Sequence, residues 1–213
     1  MSESRKSGRG PGRPANPAKR IKRRKAILAQ AVRHFANDGF DRTDIETIAK
    51  AAGCSKGTVY NHFACKQALF RESVDYVMDG LIKSVDSSTT DNDTVSSLGL
   101  AIRAFLRYFN ENPEYIELLI QERAVFKDRN SPSYHEYVGR HRQEHLGKFI
   151  QLMDQGVFRK RPVERLFDMI GDMLYGTIFT NYFAKRTICL EEQAKEITDL
   201  LLNGLLTPEA KVP

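Results

Sequence analysis

Residues 43–70 read T-D-I-E-T-I-A-K-A-A-G-C-S-K-G-T-V-Y-N-H-F-A-C-K-Q-A-L-F. Thr43 and Glu46 have capping-box spacing, with the Thr43 side chain accepting at the backbone of Glu46 and the carboxylate reaching back. A helix is predicted from there to about Ala51, burying Ile45, Ile48 and Ala49. Ala52-Gly53-Cys54 then forms a tight turn in which Gly53 tolerates a positive φ. Ser55 caps a third, short helix running to about His62. Two short helices joined by a turn containing glycine form a helix-turn-helix, although an ordinary helical hairpin has the same outline.

The chemistry of the third helix separates these two readings. Val59 and Phe63 are placed to anchor it inward, leaving Lys56, Gly57, Thr58, Tyr60, Asn61 and His62 on or near the open face. These groups bond to phosphates and base edges. Gly57 costs about 1 kcal/mol relative to alanine in a helix, and close approach of the backbone to a partner would account for it.

Upstream, Leu28, Ala31, Val32 and Phe35 form one apolar stripe, predicting a helix from Lys22 to Asp38 that ends at Gly39 with Phe40 behind it. Of the net charge of +6, residues 1–66 hold 15 Lys and Arg against 5 Asp and Glu, or +10, while the remainder holds 18 against 22, or −4. A basic field confined to one segment draws a polyanion to that segment. Residues 1–20 contain almost no large apolar side chain and read as a flexible basic arm. Arg9-Gly10-Pro11-Gly12-Arg13-Pro14 is similar to the Gly-Arg-Pro core of an AT-hook, which inserts arginine into a narrow minor groove. A solvated tail giving nonspecific attraction is the alternative.

Residues 43–70 resemble the head of TetR/AcrR-family transcriptional regulators, whose pattern runs T-x-x-x-x-I-A-x-x-A-G-V-S-x-G-T-x-Y-x-H-F-x-x-K-x-x-L. The resemblance implies an all-α chain: a flexible arm (1–20), a three-helix helix-turn-helix DNA-binding domain (21–66) and a helical ligand-binding and dimerisation domain (67–213). It implies a homodimer on double-stranded DNA with a palindromic operator, helix 3 entering the major groove. Tyr60 and His62 are then expected on phosphates, Lys56 and Asn61 on base edges, with Ser55, Gly57 and Thr58 beside them. Thr43 and Lys66 are expected to grip the backbone, with Lys19, Arg20, Lys22, Arg23, Arg24 and Lys25 near phosphates and Arg9 and Arg13 of the arm in contact. Cys54 replaces the family valine, as a small hydrophobe. Cys65 stands where serine commonly opens helix 4, which predicts a weaker cap and leaves a redox-sensing thiol or an inert one as readings.

Beyond Phe70 the pattern predicts helices near 66–84, 95–110, 113–126, 133–159, 163–185 and 190–205. By the same resemblance the last two form the dimer interface through Leu166, Ile170, Met173, Leu174, Ile197, Leu201 and Leu205. An aromatic interior including Phe105, Phe109, Leu119, Phe126, Phe149, Tyr175 and Phe179 suits a pocket for a small hydrophobic effector and equally a solid core. His141 and His145 share one face of helix 133–159, as pocket groups, core histidines or a metal pair lacking a third ligand. Glu122 and Arg123 read as an ion pair or surface charges. The sequence offers no nucleophile motif, phosphate loop or paired carboxylates, so a non-enzyme without a cofactor is expected. Three cysteines without metal spacing, and no membrane-length apolar run, lead to the expectation of a cytoplasmic protein. The function expected is a repressor released by its effector; a ligand-independent architectural or partner-regulated DNA-binding protein is the alternative.

Overall fold

The computed structural model describes residues 17–89, 94–127 and 132–204; Arg9 and Arg13 of the expected arm and Leu205 of the expected dimer surface lie outside them. The described residues form α1 (Pro17–Asp38), α2 (Ile45–Ala51), α3 (Lys56–Tyr60), α4 (Lys66–Ser88), α5 (Thr94–Glu111), α6 (Pro113–Val125), α7 (Ser133–Asp154), α8 (Val163–Phe183) and α9 (Leu190–Asn203). The architecture is all-α, with a helix-turn-helix at the N-terminal end and a helical body behind it.

Helix α1 begins five residues before Lys22, so the cations from Lys19 to Lys25 ride on a helix. It ends as expected. Gly39 takes φ +80°, its N–H donates to the Phe35 carbonyl at 3.0 Å, and the Phe40 ring stacks on Phe35 at 5.9 Å. Helix α7 stops at Asp154, short of 159. Gly156 adopts φ +73°, and the N–H groups of Gly156 and Val157 return to the carbonyls of Met153 and Leu152 at 3.1 and 2.9 Å. That is a Schellman termination, signalled by a glycine the apolar periodicity ran through.

A continuous apolar core extends from Ile27 on α1 to Ala194 on α9. Phe70, on the first turns of α4, joins head to body: its ring meets Phe35 edge-on at 4.9 Å, Phe40 at 5.4 Å and Phe126 at 5.8 Å. Helix α4, about 34 Å long at 1.5 Å per residue, packs against both α1 and α5, while α6 lies along α1.

One expectation for the body is corrected. Glu122 is neither at the surface nor paired with Arg123. It is 2 % exposed and accepts the Ser133 N–H at 3.1 Å and its hydroxyl at 2.5 Å, closing the start of α7. Arg123 instead donates to the Lys127 carbonyl. Of the expected dimer stripe, Ile170 is buried, and Leu174, Ile197 and Leu201 are half-buried against the chain's own core. Leu166 and Met173 are half-buried. The outward apolar side chains of α8 and α9 are Met169, Phe183, Leu200 and Leu202, the first two more than 60 % exposed.

Candidate nucleic-acid interface

The helix-turn-helix is built from local caps. Asp44, not Thr43, caps α2, its Oδ1 accepting the Glu46 N–H at 3.0 Å. Thr43 is 4 % exposed, and its hydroxyl lies 2.7 Å from the Gly39 carbonyl and 3.1 Å from that of His34. Its expected phosphate contact is therefore corrected to an internal brace. At the turn, Gly53 has φ +64°, with Gly53 and Cys54 N–H groups returning to Lys50 and Ala49. Cys54 packs on the core, and burial pushes its thiol up from the ordinary range.

Ser55 caps α3 as expected, accepting the Thr58 N–H at 3.2 Å, and the two hydroxyls bond to each other at 3.0 Å. Helix α3 ends at Tyr60 rather than His62, as Val59 and Phe63, 1 % and 2 % exposed, are drawn into the core. Its outer side presents Lys56, Gly57, Tyr60 and Asn61, all exposed. Lys56 lies 3.8 Å from Asp44. A Cβ at Gly57 would meet nothing nearer than Ser55 Oγ at 3.9 Å, so nothing within the chain requires a glycine there.

The cations around this face divide into two sets. Arg23 donates from Nη1 to the carbonyls of Ala52 and Gly53 at 3.0 and 2.9 Å. Arg24 pairs with Glu72 and lies over the Phe63 ring at 5.2 Å. Lys66 donates to the Asp41 carbonyl at 3.1 Å and sits over the Phe40 ring at 4.9 Å. These three, expected on phosphates, also make contacts within the chain, Arg24 reaching across to Glu72 on α4. Arg20, Lys22 and Lys25 are exposed on α1 and make no ion pair among the described residues. Arg20 lies near α3: burial, then the charges of Arg20, Arg24 and Arg23, hold the His62 imidazole below its ordinary range. At Cys65, an exposed free thiol, the N-cap of α4 carries no side-chain bond, matching the weaker cap expected.

The residues expected in a pocket or a solid core are divided between cavities and core. One cavity, about 230 Å³, lies between α4, α5 and α7 and is reached by His145 and Phe149. A second, about 430 Å³, lies between α5, α6 and α8 and is reached by Phe109. Phe105 and Leu119 are buried in solid core, and Tyr175 and Phe179 pack on each other at 4.5 Å. Phe126 borders neither cavity and lines a groove between head and body, while His141 rests on the Tyr137 ring at 5.1 Å. His145 stacks on Phe167, and burial pushes its pKa down. Asn110, Asn181, Lys185 and Arg186 at the second cavity escaped the sequence reading, as only the turn after α8 brings the last two there.

A capped helix-turn-helix with an open polar helix and a basic flank, carried on a helical body, defines a DNA-binding transcription regulator. Residues 27–73 match the profile described as "Bacterial regulatory proteins, tetR family". The fold is shared with PfmR, a TetR family transcriptional regulator from Thermus thermophilus, at 26 % identity and a TM-score of 0.68, over 85 % of this chain and 99 % of that one. The head of the chain thus matches the tetR family of bacterial regulatory proteins, and the fold as a whole is that of a TetR family regulator. It is also similar to the uncharacterized HTH-type transcriptional regulator YerO of Bacillus subtilis (strain 168), 27 % identical over 53 % of this chain and 40 % of that one. Nucleoid occlusion factor SlmA of Actinobacillus pleuropneumoniae serotype 5b (strain L20) is 26 % identical over 53 % and 57 %. The match thus spans about half the length of these curated relatives.

Proposed function

We propose that the chain is a homodimeric, cytoplasmic repressor whose head (21–66) reads a palindromic operator through α3, and whose body (67–213) weakens that grip when it takes up a small apolar effector. The carrying observation is the outer face of α3, where Tyr60 and Asn61 have no side-chain partner among the described residues, beside the unpaired cations of Arg20, Lys22 and Lys25. Polar groups left open on a short helix, next to charge that no ion pair among the described residues neutralises, suit a duplex with phosphates on its rim and base edges within. Lys56 and Asn61 read bases; Tyr60 and His62 set register, while Ser55 and Thr58 hold the helix start and Gly57 lets the backbone come close. The exposed Met169, Phe183, Leu200 and Leu202 supply the apolar contact between subunits. His145 and Phe149 face the effector in the cavity between α4, α5 and α7. An effector must favour the DNA-incompetent state to shift the balance.

Selection of binding sites from random duplex DNA tests the reading. The expected product is an inverted repeat with half-sites about one helical turn apart; recovery of no common sequence overturns it. Similarity to a nucleoid occlusion factor favours a second reading, DNA binding governed by a partner rather than a ligand. Operator occupancy that persists with a panel of apolar compounds would favour that second reading.

A further inference from the structure

The cavity between α5, α6 and α8 has a composition unlike the rest of the body. Its walls are mainly apolar, with Leu106, Phe109, Ile116 and Ile178 joined by the neutral polar Asn110, Asn181 and Tyr182, and its mouth carries Lys185 and Arg186 with no carboxylate in the lining. The nearest acid in sequence, Glu191, is engaged by Arg103 and Arg107 at 2.8 Å each. Lys185 and Arg186 form no ion pair among the described residues. The turn that places them is costly. The N–H groups of Lys185 and Arg186 return to Tyr182 and Asn181, and Lys185 takes φ +48° at a place where glycine is favoured. This closure of α8 sets a lysine, not the usual glycine, at the left-handed position and so puts two adjacent cations at the cavity mouth.

One wall of this cavity connects to the head by side-chain bonds. The Tyr182 hydroxyl donates to Glu117 Oε2 at 2.8 Å. Gln121 Nε2 donates to Glu117 Oε1 at 3.3 Å, and Gln121 Oε1 accepts the N–H of Phe40 at 3.4 Å. Phe40 belongs to the α1–α2 connection and stacks on Phe35.

We propose that this cavity binds an organic monoanion with an apolar body, its charge held by Lys185 and Arg186, and that occupancy is passed to the head through Tyr182, Glu117, Gln121 and the Phe40 amide. The site is separate from the cavity of His145 and Phe149. A neutral compound of the same shape lacks the charge contact, and a cation meets two like charges.

Titration calorimetry of the full chain with decanoate below its micelle concentration, without DNA, tests the site. Decanoate is expected to bind, decanol at least tenfold more weakly, and decylammonium not at all. K185Q/R186Q is expected to weaken decanoate at least tenfold, while K160Q/R161Q, which removes the same charge elsewhere, leaves it unchanged. Hydrogen exchange tests the relay. Decanoate is expected to change exchange at the Phe40 amide in the parent and not in Glu117→Ala, which lies outside the cavity lining and binds decanoate within about twofold of the parent. No decanoate binding, equal binding by decylammonium, or unaltered binding to K185Q/R186Q overturns the site; an unchanged Phe40 response in Glu117→Ala overturns the relay. None of these measurements depends on operator binding, so their failure is distinct from that of the proposed regulatory function.

Discussion

The ring of Tyr108 on α5 fills the space that a side chain at Gly80 on α4 would occupy. A Cβ built on Gly80 meets the phenol oxygen and lies 3.2 Å from Cζ, and the same hydroxyl donates to the Val77 carbonyl at 2.6 Å. Helix propensity alone favours alanine over glycine by roughly 0.5–1 kcal/mol. The contact reverses that sign. Gly80→Ala is expected to lower stability by about 1–3 kcal/mol through overpacking, and Tyr108→Leu in the same chain to recover part of it. Thermal denaturation decides; a raised Tm in the single variant would refute the notch.

Arg23 and Lys22 are neighbours on α1 with opposite duties. Arg23 ties the turn between α2 and α3 by two bonds, so Arg23→Gln is expected to cost on the order of 1–2 kcal/mol of stability. Lys22→Gln should leave Tm unchanged and reduce the slope of log affinity against log salt by about 1. Equal Tm for both variants would mean that the Arg23 bonds carry no weight.

On the proposed DNA face, His62 is expected to link operator binding to pH. Burial and the charges of Arg20, Arg24 and Arg23 depress its pKa in the free protein, so at neutral pH it is uncharged. Phosphates on the same face favour the cation and raise the pKa in the complex, so binding takes up a proton. Affinity therefore rises as pH falls through the pKa of the complex, and levels off below that of the free protein. For folding the sign is opposite: a base depressed below its unfolded value lends stability lost as pH falls from the ordinary histidine range. Anisotropy at fixed ionic strength should show the binding trend in the parent and not in His62→Asn. A flat parent profile rules the coupling out.

Cys65 caps α4 without a side-chain bond. Cys65→Ser supplies an oxygen acceptor at the N-cap and is expected to stabilise the chain by about 0.5–1 kcal/mol. Chemical denaturation checks this; no gain would show that the extended backbone there cannot present the hydroxyl to the helix.

Met169→Glu places a charge on the exposed face of α8, where the parent side chain is 63 % exposed. The expected result is a monomer with little change in secondary structure. Ile170→Ala, one residue along and 8 % exposed, should instead cost roughly 2–4 kcal/mol of fold stability. Sedimentation velocity with circular dichroism separates the two; a dimer retained by Met169→Glu would move the interface elsewhere.

The sequence by itself determined what lies within a turn or two of its own signal. Gly39, Gly53 and Ser55 act where local geometry demands, and the Val59/Phe63 pattern turns the polar side of α3 outward, because caps and amphipathic faces are settled over a few residues. Residues 43–70 therefore disclosed the helix-turn-helix and its exposed chemistry. Only the tertiary structure decided the long-range partners. Thr43 turned inward because the α1 end lies over it, and Arg23, Arg24 and Lys66 found carbonyls, a carboxylate and aromatic rings as partners within the chain. Glu122 was buried by a Ser133 eleven residues away. The apolar stripes of α8 and α9 gave no sign of which side met the chain's own core, since both sides read as hydrophobic until packing covers one. The aromatic residues of the body left pocket and solid core undecided for the same reason: cavities are the space left between helices, and no single helix carries their outline.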